Sequence, residues 1–441
     1  MARGKKKETL TPEERLQVAL VPEDEQPYKV PGNWCWIRLK ASINLYNGDR
    51  GTNYPSKKDY QSSGVPFINA GAIVDGELNE AEFNYISEEK YDALRAGKIQ
   101  QGDILYCLRG SLGKTAIVHQ KFKGAISSSL CILRVNESLL KEYLYYLLCS
   151  NVIGHQQVLA ENGSAQPNLS AASVMDYMIP LAPLAEQQRI TDRIESLFAK
   201  LDEAKQKAQN ALDSFETRKA AILHKTFTGE LTAQWRREHG VGMESWENKV
   251  LWQLAKEIKA GGDKPDDFTE EADETHNIPV VANGVVDEGI IGYTATARFF
   301  GETVTVAGRG TIGFSVYRTY SFFPIVRLIV IQPKDFVKAA YIKYAFDAFP
   351  ESGTGSSIPQ LTVPMVKEKV IPLPELEEQT EIIRILDGLL AKEQQAKETV
   401  EGVLEQIDLI KKAILARAFR GELGTNDPSE ESVMELLKVI M

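Results

Sequence analysis

The 441-residue sequence has few of the side chains from which metal centres and disulfide frameworks are built. It contains four cysteines and five histidines. No two cysteines have C-x-x-C spacing, and no two histidines have the spacing of paired metal ligands. We therefore predict neither a metal site nor a disulfide, and we interpret all four cysteines as reduced thiols. Cys107 and Cys131 lie in apolar, strand-like runs and are predicted to be buried.

Long apolar runs are also absent. No stretch approaches the roughly 20 apolar residues that a membrane-spanning helix needs. The sequence begins MARGKKKETLTPEER, so acidic and polar residues follow the basic cluster where a signal peptide needs an apolar segment. These features predict an intracellular, cytoplasmic protein that makes no membrane contact.

Motifs of catalysis are missing as well. There is no G-x-x-x-x-G-K-[ST] phosphate loop and no Asn-Pro-Pro-aromatic tetrad of an amino-methyltransferase. Residues 308–313, GRGTIG, match G-x-G-x-x-G, but the strand-like FSVYR follows them where dinucleotide binding needs a helix. We interpret this segment as a strand-turn-strand hairpin. No carboxylates stand out as an acid/base pair, so we predict no catalytic residues.

An excess of positive charge, the usual mark of nucleic-acid binding, is absent overall. The formal net charge is −10. Residues 1–178 carry 20 basic and 20 acidic side chains, whereas residues 371–441 carry 8 and 15. Because most of the negative excess lies in the last quarter, the net charge neither supports nor excludes a local basic face elsewhere.

An internal repeat organises the chain. Residues 179–231 and 371–423 align without a gap at an offset of 192, with 21 identities in 53 positions. Apolar residues in each copy follow the alternating spacing of a heptad repeat, which indicates a long helix with a coiled-coil seam. The first helix is predicted from Leu184 to Phe227, and Gly229 and Gly421 mark the ends of the two copies.

Neither helix hides its seam alone, so we predict that the two pair as an antiparallel coiled coil. The alternative is that each helix docks on its own domain. The heptad pattern also places Val403 and Ile410 on the seam. The principal seam residues are Ile190, Ile194, Leu197, Leu201, Phe215, Ile222, Ile382, Leu386, Leu389, Val400, Ile407 and Ile414.

The segments before the two helices share landmarks in the same order. VPFINAGAI at 65–73 resembles IPVVANGVV at 278–286, and GSAQPNLS at 163–170 resembles GSSIPQLT at 355–362. Alternating apolar runs separated by glycines, together with short helical patterns, predict a mixed α/β (α+β) domain before each helix. The predicted divisions are an N-terminal extension at 1–33, domains at 34–180 and 232–372, spacer helices at 181–231 and 373–423, and a tail at 424–441.

This doubled unit resembles the specificity subunits of type I restriction-modification systems. The resemblance rests on the helix openings, with Glu186-Gln187 and Glu378-Gln379 after IPL, and on the closings AAILHKTFTGEL and KAILARAFRGEL. It covers about residues 30–423. It implies that each domain is a target recognition domain that reads half of a bipartite double-stranded DNA site. It also implies that the helices set the gap, the length of unspecified DNA between the two halves.

The resemblance also implies partners. Methyltransferase subunits would dock on the helix pair and bring S-adenosylmethionine, so this chain would bind no cofactor itself, and a restriction subunit would join for cleavage. Two rivals stay open: a coiled-coil scaffold without DNA specificity, and a small-molecule enzyme that uses the glycine hairpins.

Candidate DNA contacts are chosen by their chemistry. Arginine, asparagine and glutamine form paired hydrogen bonds with base edges, whereas lysine mostly holds phosphate. The polar loop from residue 47 and the segment 259–264 occupy similar places, and Arg109 and Arg309 lie in matched hairpins. The candidates are Asn47, Arg50, Asn53, Tyr54, Lys57, Lys58, Arg109, Ser111, Lys259, Lys264, Arg309 and Thr311.

Structural roles compete with these assignments. Arg109 and Arg309 occur in both copies, so they could brace the hairpins instead of reading divergent targets. Asn69 and Asn283 are weaker candidates for which loop capping is the favoured interpretation.

Overall fold

Two repeated α/β units make up the part of the chain that the computed structural model describes, residues 11–161, 167–350 and 360–440. The chain divides into unit 1, residues 1–207 and 404–441, and unit 2, residues 208–403. Both long helices contribute residues to both units.

Unit 1 begins with a short helix and continues with strands and helices that alternate irregularly. Its elements up to the first long helix are α1 (Pro12–Ala19), β1 (Cys35–Arg38), β2 (Ile43–Asn47), β3 (Val65–Ile68), β4 (Ile73–Val74), β5 (Glu77–Leu78), β6 (Asn84–Ile86), α2 (Glu88–Ala93), β7 (Ile104–Cys107), β8 (Thr115–Ile117), β9 (Ala125–Ile126), β10 (Leu130–Val135), α3 (Lys141–Leu148), α4 (Asn151–Ala160), α5 (Ala171–Met175), β11 (Met178–Leu181) and α6 (Leu184–Phe227).

Unit 2 repeats most of this order. Its elements, followed by the last helix of the chain, are α7 (Ala233–His239), β12 (Glu247–Val250), α8 (Leu251–Leu254), β13 (Ala255–Ala260), β14 (Ile278–Val281), β15 (Ile290–Thr294), β16 (Phe299–Phe300), β17 (Thr303–Val306), β18 (Ser315–Arg318), β19 (Ser321–Pro324), β20 (Ile329–Pro333), α9 (Ala339–Ala348), α10 (Val363–Lys367), β21 (Val370–Leu373), α11 (Leu376–Ala418) and α12 (Val433–Ile440).

The central sheet has the same topology in both units. In unit 1 four antiparallel strands follow the order β2-β10-β7-β8, and in unit 2 the order is β13-β20-β17-β18. A second sheet flanks each one, with a parallel pair, β3 with β9 and β14 with β19. The predicted mixed α/β class and the duplication are confirmed.

Apolar strand residues form the core of each sheet. Cys107 and Cys131 are fully buried there, as predicted, and burial raises the pKa of both thiols. Buried thiols with raised pKa values are poor nucleophiles. These two cysteines therefore fill the core and have little reactivity.

The long helices begin and end where the sequence predicted. The first spans Leu184–Phe227, and Gly229 and Gly421 adopt positive φ angles of 78° and 74° just after the two helices. A left-handed residue at this position stops a helix, and glycine adopts that conformation without a steric penalty.

The two helices pair in antiparallel orientation within each unit. In unit 1, Lys205 pairs with Asp408 and Lys411 with Asp202, so residue numbers rise along one helix as they fall along the other. In unit 2, Arg218 contacts Glu393 at 2.9 Å. Leu223 and Phe227 share a core with the start of the second helix. The paired arrangement is confirmed.

Burial of the seam residues is uneven along the helices. Buried seam residues are Ile190, Ile194, Phe215, Ile382, Leu386 and Ile407, and half-buried ones are Leu197, Leu201, Ile222, Leu389, Val400 and Ile414. Val403 and Ile410, which the heptad pattern placed on the seam, are instead 43% and 44% exposed. The first helix has alanines at its central seam positions 204, 208 and 211, which offer little side chain to cover them.

The start of the first long helix carries a buried carboxylate that ties three segments together in unit 1. Glu186 is fully buried. It accepts hydrogen bonds from the indole of Trp34 at 2.7 Å, from Asn426 at 2.7 Å and from Thr425 at 3.3 Å. A buried carboxylate is tolerated only when such donors replace its water.

Glu378 has the equivalent role in unit 2. It accepts from the indole of Trp246 at 2.9 Å, from the hydroxyl of Thr232 at 2.6 Å and from the guanidinium of Arg236 at 2.6 Å. Arg236 and Glu378 form an ion pair in which both side chains are buried. The segment after each long helix is therefore fixed to the start of a long helix.

The neighbouring glutamines attach the domains. The amide oxygen of Gln187 accepts from the backbone N–H of Leu140 at 2.8 Å, and that of Gln379 accepts from Lys338 at 2.9 Å. Each amide nitrogen also donates to two backbone carbonyls. The Glu-Gln dipeptide thus joins each domain to its helix.

The N-terminal and C-terminal segments, whose place the sequence left open, meet in unit 1. Tyr28 donates to the carbonyl of Phe419 at 3.0 Å, and the backbone N–H of Val433 donates to the carbonyl of Asn33 at 3.1 Å. The first ten residues and the last lie outside the described residues. Residues 404–441 complete the core that residues 11–207 begin.

Replacing Arg236 by methionine should strongly destabilise unit 2. The change leaves Glu378 buried without its counterion, which typically costs about 3–5 kcal/mol of unfolding free energy. Chemical denaturation followed by circular dichroism measures the loss. The matched control is Arg384→Met, which removes an exposed pair with Glu381 and should leave the midpoint unchanged. Equal effects of the two substitutions would contradict the role given to the buried pair.

Candidate nucleic-acid interface

Four strand ends meet at one end of the central sheet in unit 1. Strand β2 ends at Asn47 and β7 at Cys107, while β8 begins at Thr115 and β10 at Leu130. Since neighbouring strands are antiparallel, these four strand ends lie at the same end of the sheet. We call the loops 48–64, 108–114 and 127–129, which connect to the strands there, the loop end of unit 1.

Contacts between these loops show that they converge. The backbone N–H of Ser128 donates to the hydroxyl of Tyr54 at 3.3 Å. A Cβ added at Gly48 would lie 2.4 Å from the carbonyl oxygen of Ser127, so only glycine fits there. Loop 48–64 therefore packs against loop 127–129, and Arg109 and Ser111 lie in the third loop at the same end of the sheet.

Two of the predicted contacts, Asn53 and Tyr54, instead hold the loop in place, together with Asp49. The buried carboxylate of Asp49 accepts from the backbone N–H groups of Gly51 and Arg95, both at 2.8 Å, and these hydrogen bonds lower its pKa. The amide of Asn53 donates to a backbone carbonyl at 3.0 Å. Tyr54 packs edge-on against Phe67. These side chains organise the loop.

The cationic side chains of the same loop remain available. Arg50, Lys57 and Lys58 are exposed, and no residue that the structure describes forms a hydrogen bond or ion pair with their charged groups. Asn47 is half-buried, and its amide oxygen has no partner among the described residues. A rigid loop with unengaged donors has the chemistry to contact nucleic acid.

The matched hairpin arginines contact matched amides. Nε of Arg109 donates to the side-chain oxygen of Asn168 at 3.1 Å, and Arg309 contacts that of Gln360 at 3.2 Å. These contacts brace the hairpins, yet both arginines are exposed, and their remaining donors have no partner among the described residues. Ser111 and Thr311 are exposed beside them. Part of each landmark before α5 and α10, residues 163–166 and 355–359, lies outside the described residues.

Asn69 and Asn283 cap loops, as the favoured interpretation stated. The amide oxygen of Asn69 accepts from the backbone N–H of Gly71 at 2.7 Å. That of Asn283 accepts from Gly308 at 2.8 Å, while its nitrogen donates to the carbonyl of Val326 at 2.7 Å. Both amides are used to hold the strand ends.

Unit 2 has an equivalent loop end, where β13 and β17 end and β18 and β20 begin. We define it as the loops 261–277, 307–314 and 325–328. Lys259 lies at its edge and pairs with Glu257, and Lys264 lies over the ring of Phe268. Both predicted lysines are therefore engaged within the unit.

The two loop ends differ in charge. Loop 48–64 has three basic and two acidic residues, whereas loop 261–277 has one basic and seven acidic residues. Hydrogen bonds, first from the backbone N–H of His276, lower the pKa of Asp273 to about 2. The pKa of Asp267 is lowered by a hydrogen bond from the hydroxyl of Thr294. These hydrogen bonds favour the charged forms of Asp267 and Asp273, and the negative charge of the loop disfavours contact with phosphate.

Two exposed arginines at the loop ends were not predicted. Arg95 lies beside the first loop, where its backbone holds Asp49, and Arg327 lies in the turn between β19 and β20. No motif marks either residue.

The glycine motif at 308–313 is a hairpin, as interpreted. Strands β17 and β18 are antiparallel neighbours, and Gly310 and Gly313 have positive φ angles of 71° and 82°. No helix begins there, so the arrangement lacks the feature on which dinucleotide binding depends. Within the described ranges there is no cluster of metal-binding side chains, and no helix has the length and apolar character to cross a membrane.

The sequence matches a family model described as the type I restriction modification DNA specificity domain over residues 32–213 and 243–405. A putative type I specificity subunit of Mycoplasma pneumoniae is 30% identical over 306 residues, which cover 68% of this chain and 87% of that protein. The specificity subunit of the Escherichia coli type I restriction enzyme EcoKI is 23% identical over 441 aligned residues, 90% of each chain.

Two solved structures share the fold. One, from a study of complex assembly and conformational transition of the type I R-M system, has a TM-score of 0.74 at 22% identity and covers 90% of this chain and 100% of its own. The HsdS subunit from Thermoanaerobacter tengcongensis has a TM-score of 0.60 at 22% identity, with the same coverage.

Replacing Lys57 and Lys58 by alanine should weaken DNA binding and reduce its dependence on salt. Each lost phosphate contact lowers the slope of log affinity against log salt by about 0.9. Binding titrations between low and moderate salt measure both quantities. The control is Lys29→Ala with Lys121→Ala, the same charge change at exposed positions of unit 1 away from the loop end. Equal slopes for both double variants would rule out this contact.

Proposed function

The chain belongs to the family of type I restriction-modification DNA specificity proteins, and on this basis we propose that it reads a two-part DNA target, one part with the loop end of each unit. Membership makes the chain a subunit that recognises DNA sequence and is not itself an enzyme. The scaffold without DNA specificity is therefore not favoured.

One observation carries the two-part assignment. The same frame supports the loop end in both units: the central sheet, a hairpin arginine held by an amide and an asparagine that caps a loop at a strand end. The arginines are Arg109 and Arg309, and the asparagines are Asn69 and Asn283. The loops mounted on that frame differ in sequence and in charge. A repeated frame with divergent contact loops suits two readers that recognise different short sequences.

The chemistry of the unit 1 loop suggests a division of labour. Lys57 and Lys58 provide compact positive charges suited to phosphate, which fixes position along the duplex. Arg50 provides the planar pair of donors that matches the edge of guanine. Asp49 holds the backbone between them, so these groups reach the DNA from a fixed loop.

We propose that the partners are methyltransferase subunits and, for cleavage, a restriction subunit. Relatives are named as subunits of type I restriction enzymes, which supports this assignment. The exposed apolar residues Val403, Leu409 and Ile410 of the second long helix suit a protein contact. S-adenosylmethionine would be held by the methyltransferase subunit.

Exchanging residues 34–178 for the first domain of another family member should change one half of the recognised sequence. Unit 2 keeps its own loop end, so its half-sequence should persist. Mapping methylated positions in a genome that expresses the hybrid with its methyltransferase partner measures both halves. A change in both halves, or in neither, would contradict the assignment of one reader to each unit.

Shortening the helix pair should change the spacing of the target. Residues 201–207 and 405–411 face each other within unit 1, as the Lys205–Asp408 and Lys411–Asp202 pairs show. Removing both segments shortens the pair by about 10 Å, or about three base-pair steps. Affinity for the original gap should fall at least tenfold while both half-sequence preferences survive.

Binding to oligonucleotides with varied gaps measures the change in spacing. An alternative pair of deletions, residues 208–214 and 398–404, keeps the heptad register and gives a second test at another place. If affinity and gap length stay as they were in the unaltered protein, the helices do not set the spacing.

A further inference from the structure

The turn between β19 and β20 in unit 2 has an unusual backbone. It comprises residues 325–328, and the N–H of Leu328 donates to the carbonyl of Ile325 at 3.0 Å. Its two central residues, Val326 and Arg327, have positive φ angles of 50° and 60°. Asparagine and glycine are the residues that favour this geometry, and a β-branched valine there is an outlier.

The same place in unit 1 is built without this strain. The N–H of Ser127 donates to Ile68 at 2.7 Å, as that of Ile325 donates to Val281 at 2.8 Å, so the two turns are equivalent. Of the described non-glycine residues with positive φ, none lies in the turn of unit 1. The strain is therefore a property of the residues in unit 2 and not a requirement of the fold.

Surrounding segments hold the strained turn closely. Val326 donates its N–H to the carbonyl of Gly262 at 2.9 Å and accepts from the amide of Asn283 at 2.7 Å. A Cβ added at Gly261 would lie 2.7 Å from the N–H nitrogen of Ile325. The backbone at the centre of the loop end is thus fixed, and the two central side chains project from it.

The side chains that project are not used within the protein. Val326 is 51% exposed and Arg327 is exposed. Among the described residues the guanidinium of Arg327 has no hydrogen-bond or ion-pair partner. Arg309 contacts Gln360, and Arg298 lies over the ring of Phe323. Among the described residues of loops 261–277, 307–314 and 325–328, Arg327 is the arginine whose guanidinium forms neither a hydrogen bond nor an ion pair.

Stability does not account for these residues, because an Asn-Gly pair would form the turn without strain and would lose few contacts. Strained backbone that presents exposed, unengaged side chains is characteristic of functional sites. The acidic loop 261–277 next to the turn disfavours phosphate. A contact made by this turn is therefore better directed at a base edge than at the DNA backbone.

We propose that Arg327 reads a guanine in the half-site of unit 2, through paired hydrogen bonds to O6 and N7 in the major groove. Val326 packs beside it and contacts the neighbouring base. The inference rests on the proposed DNA-reading function of unit 2 and names the residue that determines one position of its half-site.

The test uses the full chain in complex with its methyltransferase partner and a DNA library in which both half-sites are randomised. Arg327→Gly removes the guanidinium and relaxes the backbone, so this variant should unfold at no lower denaturant concentration than the unaltered protein. Arg327→Lys keeps the charge but lacks the paired donors. Arg384→Lys, the same change at an exposed arginine of unit 2 outside the loop end, is the matched control and should keep every base preference.

We expect both Arg327 variants to lose about tenfold to a hundredfold of the preference for guanine at one position of one half-site. The other half-site should be unaffected, and Arg327→Lys should keep the salt dependence of the unaltered complex. Replacing that guanine by 7-deazaguanine, which lacks N7, should weaken the unaltered complex and leave Arg327→Gly unchanged.

Two failures are distinguishable. If the unaltered complex has no two-part sequence preference, the proposed function is wrong. If it has one and both Arg327 variants keep every base preference, or lose preference only at a position that is not guanine, the function stands and the assignment of Arg327 is overturned.

Discussion

The architecture depends on a carboxylate buried at the start of each long helix. Glu186 and Glu378 lie where water does not reach them, so every hydrogen bond they need comes from the protein. Those donors come from the domain that precedes the helix and from the segment that follows a long helix. One group thus fixes three parts of the chain, and the antiparallel pairing follows from where those parts must meet. The two buried carboxylates differ in their partners. Glu378 forms an ion pair with a buried arginine, whereas the described donors to Glu186 are uncharged.

This fixed frame separates stability from recognition. The groups that hold each unit together lie at the helix starts and in the sheets, whereas the loop ends contain exposed donors on braced backbones. Loop residues can therefore change without loss of the core, as the contrast between the basic loop 48–64 and the acidic loop 261–277 illustrates. Loops on a rigid scaffold are a common solution for binding sites, since contact residues vary there at little cost to folding.

Sequence patterns predicted the helices well, because the heptad period and the terminal glycines are local signals that extend over many residues. Leu184 to Phe227 was predicted to the residue. The exposure of Val403 and Ile410 was missed because it depends on the small side chains of the opposite helix, which a pattern within one helix does not report.

Trp34 and Trp246 were missed because the sequences around them have diverged, and their shared role appears only in their contacts with Glu186 and Glu378. Arg327 was missed for a related reason: its turn contains neither glycine nor asparagine, so composition does not mark it.

The meeting of the two chain ends in unit 1 has a consequence for synthesis on the ribosome. Residues 404–441 supply part of a core whose other part, residues 11–207, is translated first. Unit 2 lies entirely between them in the chain, and domains generally fold as their residues emerge. Unit 1, whose synthesis begins first, is therefore completed only after residues 404–440 have emerged from the ribosome. A chain that stops before residue 404 would lack part of the unit 1 core, even if its first 207 residues were intact.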